Sequence, residues 1–464
     1  MLTSLRIKNF KAWQDTGSIR LAPLTVIFGA NSAGKSSLGH LLLGLKQTAL
    51  STDRKRALHL GDTTSLIDLG TFADCLNGHD LSKTLDFELG WSLPKSMDVK
   101  DPLDSTQRYV GNHIQLAVSL SAGKTGQPEV TSLKYELKNS DSVVLDVDLS
   151  RGTDRKFSLR SHKYQFKMAD GRKWPLDEPE KFYRVSDLSI ARFKNAGFLT
   201  DFALATENLL GSIAYLGPLR NHPQRTYQWS GDTPEGVGQT GEATVAAILA
   251  AQHENRMLNR GPRKAILAFT PFIAGWLKDL GVINSFLVTP VAEGRKEYEV
   301  LVKTHAGAPE VKITDVGFGV SQVLPALVQA FYCPPNSTVW MEQPEIHLHP
   351  QVQAELADVF ISAIKARENG KERDVQLIIE SHSEHLLNRL QRRIAEGELA
   401  PKDVAIYFCH RSDSSTELEP LRVNMFGEIE NWPDNFFGDE MADIAARTIA
   451  AVAAKKRQRS SEAH

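Results

Sequence analysis

Cysteine is scarce in this sequence: Cys75, Cys333 and Cys409 stand alone among 464 residues. Their odd number and scattered spacing exclude a disulfide framework and a cysteine-built metal site. That usage fits a reducing, cytoplasmic setting. Long apolar runs are missing too. No stretch of about 18 apolar residues occurs, so no membrane-spanning helix is expected. The N-terminal MLTSLRIKNFKAW alternates like a strand and lacks the apolar core of a secretion signal. Charge of one sign is also lacking, since 54 Lys and Arg nearly balance 56 Asp and Glu. With a net charge of −2, any basic surface has to be local. The clearest basic run, Lys455-Lys456-Arg457-Gln458-Arg459, reads as a solvated tail or as a nucleic-acid contact. There is no internal repeat, no low-complexity segment and no sustained heptad pattern, so a long coiled coil is not expected.

What is present is an ordinary globular composition, 41% hydrophobic and 24% charged, with length enough for two or three domains. Leu5 to Phe10 and Leu24 to Phe28 read as early strands, the second running into Gly29-Ala30-Asn31-Ser32-Ala33-Gly34-Lys35-Ser36-Ser37 and then an apolar helix. Gly29-x4-Gly34-Lys35-Ser36 is a Walker A pattern in its proper strand-to-helix context. Glycines let backbone N–H groups turn inward around phosphates, and the helix N-terminus adds partial positive charge. Lys35 is expected at the β- and γ-phosphates and the Ser36 hydroxyl on Mg²⁺. A glycine-rich turn that binds nothing would not need the Lys-Ser pair.

Two further strand ends carry chemistry. In Val339-Trp340-Met341-Glu342-Gln343-Pro344-Glu345 a buried strand closes on Glu342, a carboxylate suited to the metal side of a nucleotide, with Glu345 as a second acid. Leu377-Ile378-Ile379-Glu380-Ser381-His382-Ser383 ends on His382, whose neutral imidazole suits a γ-phosphate or an attacking water, or else neighbours a helix cap. His347 and His349 lack clear further ligands for zinc, and read as structural or dimer contacts.

Together the Walker A loop, GFGVSQVLP (Gly317 to Pro325), WMEQPEIHLHP and IIESHSEHLLNRL resemble the ATP-binding-cassette ATPases of the RecF, SMC and OLD type. They are closest to a standalone branch with an E-x-P-E-x-H-L-H-P Walker B segment and a C-terminal module similar to NMFGEIENWP (Asn424 to Pro433). The resemblance covers about residues 1–75 and 311–440. It implies an α/β P-loop fold with a mostly parallel sheet and flanking helices, and a head-to-tail dimer that sandwiches ATP and Mg²⁺. It implies Lys35 and Ser36 as phosphate and Mg²⁺ contacts, Glu342 as the Walker B acid and His382 as the switch histidine. Gly319 and Ser321, in the signature segment, would touch the γ-phosphate of the partner subunit. Gln343 stands where most such enzymes keep a water-polarising glutamate. An amide orients water but takes no proton, so slow hydrolysis is expected, with Glu345 or His382 compensating and a long-lived ATP-bound dimer.

The expected division is 1–80 for an N-terminal lobe, 81–310 for a β-rich then helical insertion, 311–420 for a C-terminal lobe and 421–464 for a C-terminal module with a basic tail. Within the insertion, HIQLAVSL, VVLDVDL and KYQFKM read as strands, Gly241 to Asn255 and Pro262 to Leu280 as helices, and Glu293 to Lys296 as a hairpin turn. Arg151 to Lys173 carries eight Lys and Arg against two Asp, interleaved with aromatics. That pattern suits either nucleic acid or a half-buried hairpin. YLGPLR (Tyr215 to Arg220) offers either a trans-acting arginine or a plain connector.

No nuclease module is evident, because after His382 only the isolated Asp413 resembles a Toprim metal acid. Similar standalone ATPases serve in bacterial anti-phage systems such as Septu and PARIS, which implies a separate effector protein. The expected function is thus an ATP-dependent sensor or scaffold. The alternatives are a DNA-repair ATPase that binds DNA through the insertion, and a nucleotide-gated hub with negligible hydrolysis.

Overall fold

The structure is a computed structural model that describes residues 1–170, 174–412 and 416–433. Its centre is a six-stranded sheet in the order Ile213–Leu216, Thr338–Glu342, Gln376–Ser381, Leu24–Gly29, Val404–Arg411, Thr416–Leu421. The first five strands run parallel, and the last pairs antiparallel with its neighbour. Every residue of the Leu24–Gly29, Thr338–Glu342 and Gln376–Ser381 strands is buried. That is why these segments read as continuous apolar runs: a parallel sheet covered on both faces has no wet side to alternate with.

Successive residues of these strands feed two separate cores, as the pleat requires. Val26, Phe28, Val339, Met341, Leu377 and Ile379 pack on one face with the Phe318–Tyr332 and Pro350–Lys365 helices. Ile27, Trp340 and Ile378 point to the other, where Leu38, Leu41, Leu42 and Leu45 of the Lys35–Leu50 helix cover them. Gly39 lets that helix approach, since a Cβ there would meet the Trp340 ring at 2.5 Å. Glu342 and Glu380 fall on the same face as Trp340, and the register pairs them directly.

A second sheet of eight strands is antiparallel. Leu2–Phe10 lies between Leu85–Asp101 on one side and Trp13–Asp15 with Ile19–Arg20 on the other, and the sheet continues through Asp104–Ala122, Pro128–Asn139, Ser142–Arg151 and Phe157–Arg160. The β-rich stretch predicted after residue 81 is therefore not a free-standing body; it extends a sheet that the N-terminal strand begins. The later part of the same stretch returns to the central sheet through Ile213–Leu216. The predicted turn at Glu293 to Lys296 joins the antiparallel strands Ser285–Pro290 and Glu297–Lys303. Among the described residues the longest helices have 16 residues, so none builds a long coiled coil.

Two local expectations change. KYQFKM is not a strand: Tyr164 turns inward, only 4% exposed, and its hydroxyl donates to the Asn195 carbonyl at 2.7 Å. The helix predicted from Pro262 spans only Phe269–Asp279, because Leu267 and Ala268 pair with Leu258 and Met257 first. The Phe318–Tyr332 helix takes Ser321 of the signature segment into its first turn.

The strand-to-loop junction at Gly29 has no room for a side chain. Its φ is +145°, and a Cβ would lie 2.1 Å from the Cys409 carbonyl oxygen of the neighbouring strand. Gly29→Ala combines left-handed strain with overpacking, so an unfolding free-energy loss of about 3 kcal/mol or more is expected. Urea titration of the purified variant checks it; an unchanged midpoint would show that the junction relaxes freely.

Candidate nucleotide site

The Walker A loop closes on itself. Positive φ at Ser32 (+60°) and Gly34 (+97°) turns the chain into the Lys35–Leu50 helix. The Trp13 indole donates to Ser37 Oγ at 2.8 Å, and Cys409 Sγ donates to the Ala33 carbonyl at 3.0 Å. Lys35 lies buried within the loop, its ammonium donating to the Gly29 and Ala30 carbonyls at 2.9 and 2.8 Å. Burial holds its pKa below the usual lysine range, with Glu380 opposing that shift. Asn31, Ser32, Gly34, Lys35, Ser36 and Ser37 form one wall of a cleft whose other sides are Lys11, Ala12, His40, Gln343 and His382.

Beneath this cleft lie three buried carboxylates, each held differently. Glu342 Oε1 accepts from the Tyr215 hydroxyl at 2.8 Å, and the Glu342 carbonyl accepts from Arg220 Nη2 at 3.3 Å. Glu380 Oε2 accepts from Ser36 Oγ at 2.8 Å, and its Oε1 accepts from the Trp340 indole at 2.8 Å. Burial, then the neighbouring Glu342, push the Glu380 carboxyl up to about 8. Glu345 Oε1 accepts from Ser381 Oγ and the His382 N–H, both at 2.8 Å. Burial raises its pKa above the ordinary value.

Glu345, expected to act as a second acid, thus does not line the cleft; it holds the backbone that presents His382. Burial first, then Lys35, lower the His382 pKa to about 4, and its Nε2 has no hydrogen-bond partner among the described residues. Gln343 adopts φ +45°, donates its N–H to the Glu380 carbonyl at 2.8 Å, and lines the cleft. Sequence reasoning missed Glu380, Trp340 and His40, and left Tyr215 and Arg220 as one ambiguous loop. The available signal for Glu380 was an acid ending a buried strand, but its meaning depends on which strand lies beside it. Arg220 is buried beside Glu342 of its own chain, which removes the trans-acting alternative in this arrangement; burial lowers its pKa to about 10.

Gly319 and Ser321 are not brought to this cleft. Both sit in the first turn of the Phe318–Tyr332 helix, and Ser321 faces a separate depression with Asn221, His222 and Thr244. His347 and His349 are exposed; His349 Nδ1 caps the Pro350–Lys365 helix by accepting from the Gln351 N–H at 3.3 Å. Among the described residues no group of three or more His, Cys, Asp or Glu is placed to hold a metal.

In the basic stretch, Arg155, Lys156, Arg160, Lys163 and Lys167 are exposed. Trp174 is 58% exposed, but the other aromatics pack inward: Phe157 is buried, and Phe198 meets Tyr164 edge-on and Phe166 face-to-face. Those rings are not free to stack on bases. Arg172, Lys173, Asp413 and the Lys455–Arg459 run lie outside the described residues.

Two cleft histidines set an acid limit. His40, 3.9 Å from Glu342 Oε1, has its pKa lowered to about 4 by burial and then by Lys11, so near neutral pH this contact is not an ion pair. A depressed folded-state pKa means that the unfolded chain binds more protons between the ordinary value of about 6.5 and about 4, so stability falls as pH drops through that window. His40→Gln removes one such contribution, and its thermal midpoint is expected to fall less than the wild type's between pH 6.5 and 4.5. Equal slopes in a pH series of melts would refute the assignment.

Residues 24–388 match the family described as "AAA domain, putative AbiEii toxin, Type IV TA system", and residues 399–446 match one described as "Protein of unknown function (DUF3696)". No curated protein matches the chain. Among solved structures, an SMC head bound to the C-terminal winged-helix domain of ScpA aligns over 91% of this chain and 98% of its own, at 12% identity and a TM-score of 0.43. The SMC head domain from Thermotoga maritima aligns over 91% of this chain and 99% of its own, at 11% identity and a TM-score of 0.40. Those likenesses are too distant to carry function. The family match spans well over half of the chain and contains the Walker A loop, Glu342, Gln343, Glu380 and His382: the protein belongs to this AAA-domain family and carries its ATPase domain.

Proposed function

We propose that the protein binds ATP with Mg²⁺ in this cleft, hydrolyses it slowly, and dimerises around the nucleotide to control a separate effector protein. The observation that carries the reading is the convergence of Lys35, Ser36, Gln343 and His382 on one cleft above Glu342 and Glu380. The donors fit the metal. A hydroxyl and carboxylates are hard oxygen ligands, and Mg²⁺ completes its shell with phosphates and water rather than with a protein cage. Bound there, Mg²⁺ supplies neutralisation of charge on the phosphate oxygens. Lys35 places its ammonium inside the loop, and the N-terminus of the helix it begins favours an anion.

Slow turnover follows from the groups that face the cleft. Gln343 orients a water but accepts no proton, and an imidazole with a pKa near 4 is a weak base at neutral pH. Glu345 is committed to Ser381 and the His382 backbone. A head-to-tail second copy is the arrangement that would give Gly319 and Ser321 a phosphate to meet, since within one chain they stand elsewhere. The family description, which names a toxin of a toxin–antitoxin system, supports a defence role with an effector. Met425 and Phe426, 68% and 69% exposed, give the C-terminal segment apolar surface of the kind a partner covers.

Lys35→Ala is expected to weaken ATP binding about 30-fold or more, read by calorimetry, because it removes the cation from a desolvated phosphate site. Gln343→Glu restores a proton acceptor and is expected to raise turnover at least about tenfold. Glu342→Gln is expected to accumulate an ATP-bound dimer in light scattering. Wild-type protein that binds no ATP, or that stays monomeric with ATP in both forms, would overturn the corresponding part of the proposal.

A further inference from the structure

We propose that Glu380 is the positioning residue of the metal site: it accepts the Ser36 hydroxyl's hydrogen bond, so that the oxygen presents its lone pairs to the divalent cation. The inference rests on the nucleotide reading above and deepens it. Ser36 and Glu380 stand 344 residues apart in sequence and meet at 2.8 Å. A serine hydroxyl has one proton and two lone pairs. Left to local chemistry, that proton goes back to the helix, as the adjacent Ser37 shows by donating to the Gly34 carbonyl at 2.5 Å. At Ser36 the hydroxyl donates to Glu380 instead, which leaves the oxygen's lone pairs oriented as a ligand.

Glu380 is itself fixed for this task. The Trp340 indole holds its other oxygen, its carbonyl accepts from Gln343, and its side chain lies buried, with 1% of the residue exposed. With both oxygens engaged, it acts through Ser36 rather than by direct ligation. A purely structural role for Glu380 would be served by a neutral acceptor. A carboxylate here lies beside a second one, because the register sets Glu342 directly opposite on the neighbouring strand. Two buried acids side by side are costly, and a divalent cation bound at Ser36 offsets that cost. Hydrogen-bonded partners of metal ligands commonly set metal affinity by ten- to a hundred-fold.

The test is Mn²⁺ affinity, measured by electron paramagnetic resonance on full-length protein saturated with a non-hydrolysable ATP analogue. Glu380→Gln is expected to weaken Mn²⁺ binding about ten- to a hundred-fold, because an amide cannot accept from both Ser36 and Trp340. Ser36→Ala is expected to give a comparable loss. The double variant is expected to lose little beyond Ser36→Ala alone, since Glu380 works through the hydroxyl. Trp340→Phe keeps the carboxylate and loosens it, and is expected to give an intermediate loss, which serves where Glu380→Gln melts early. Wild-type Mn²⁺ affinity in Glu380→Gln or Trp340→Phe, or losses that multiply in the double variant, would overturn the inference while leaving nucleotide binding intact. A wild-type protein that binds no analogue overturns the nucleotide reading and this inference with it.

Discussion

The hydrogen bond from Ser36 to Glu380 is the joint on which the site depends. It ties the first turn after the phosphate loop to the far end of a strand contributed by the C-terminal half of the chain. Three features make it possible. The parallel register brings the Gln376–Ser381 strand between the Leu24–Gly29 and Thr338–Glu342 strands. Trp340 fills the space beneath the helix and steadies the carboxylate from below. Gly39 lets the helix settle onto the indole ring. Each is a packing constraint, yet together they set the direction of one hydroxyl.

Electrostatics explains why the site is built in layers. Carboxylates are expensive to bury without partners, and here each partner also does something for the cleft. Tyr215 fixes Glu342, Ser36 and Trp340 fix Glu380, and Glu345 spends one oxygen on the switch backbone. The cations are buried in the same region: Lys35 within the loop and Arg220 against the Glu342 carbonyl. The two cleft histidines are kept neutral by burial and by neighbouring lysines. The positive charge that meets a phosphate is therefore carried by Lys35, Lys11 and the helix terminus, not by the histidines.

Much of this was legible in sequence because it is local. The Walker A loop, the strand ending at Glu342 and the strand ending before His382 are each written within about ten residues, and their apolar runs follow from burial on both faces. What was not legible depends on which elements become neighbours. Glu380 gains its meaning from the adjacent strand and from a helix 344 residues away. KYQFKM has the alternation of a strand, but Tyr164 and Phe166 find an aromatic cluster instead of a sheet partner. The boundary placed at residue 81 follows a change in composition. The backbone ladder ignores it, because the N-terminal strand pairs across it.

The EQPEIHLHP segment links the two surfaces that a nucleotide sandwich would need. Its first part faces the cleft through Gln343, held by the bond to the Glu380 carbonyl. Two positive-φ residues, Gln343 and His347, fold the segment into a tight turn. Leu348 then buries against the start of the Phe318–Tyr332 helix, where a Cβ on Gly319 would sit 3.8 Å from its side chain, and His349 caps the next helix. A rigid turn with one end in the cleft and the other under the signature helix cannot shift at one end without loading the other, because packed side chains respond in discrete steps rather than by soft deformation. In the proposed dimer, the residues that deprive the cleft of a strong base would also couple its occupancy to the face offered to a second subunit.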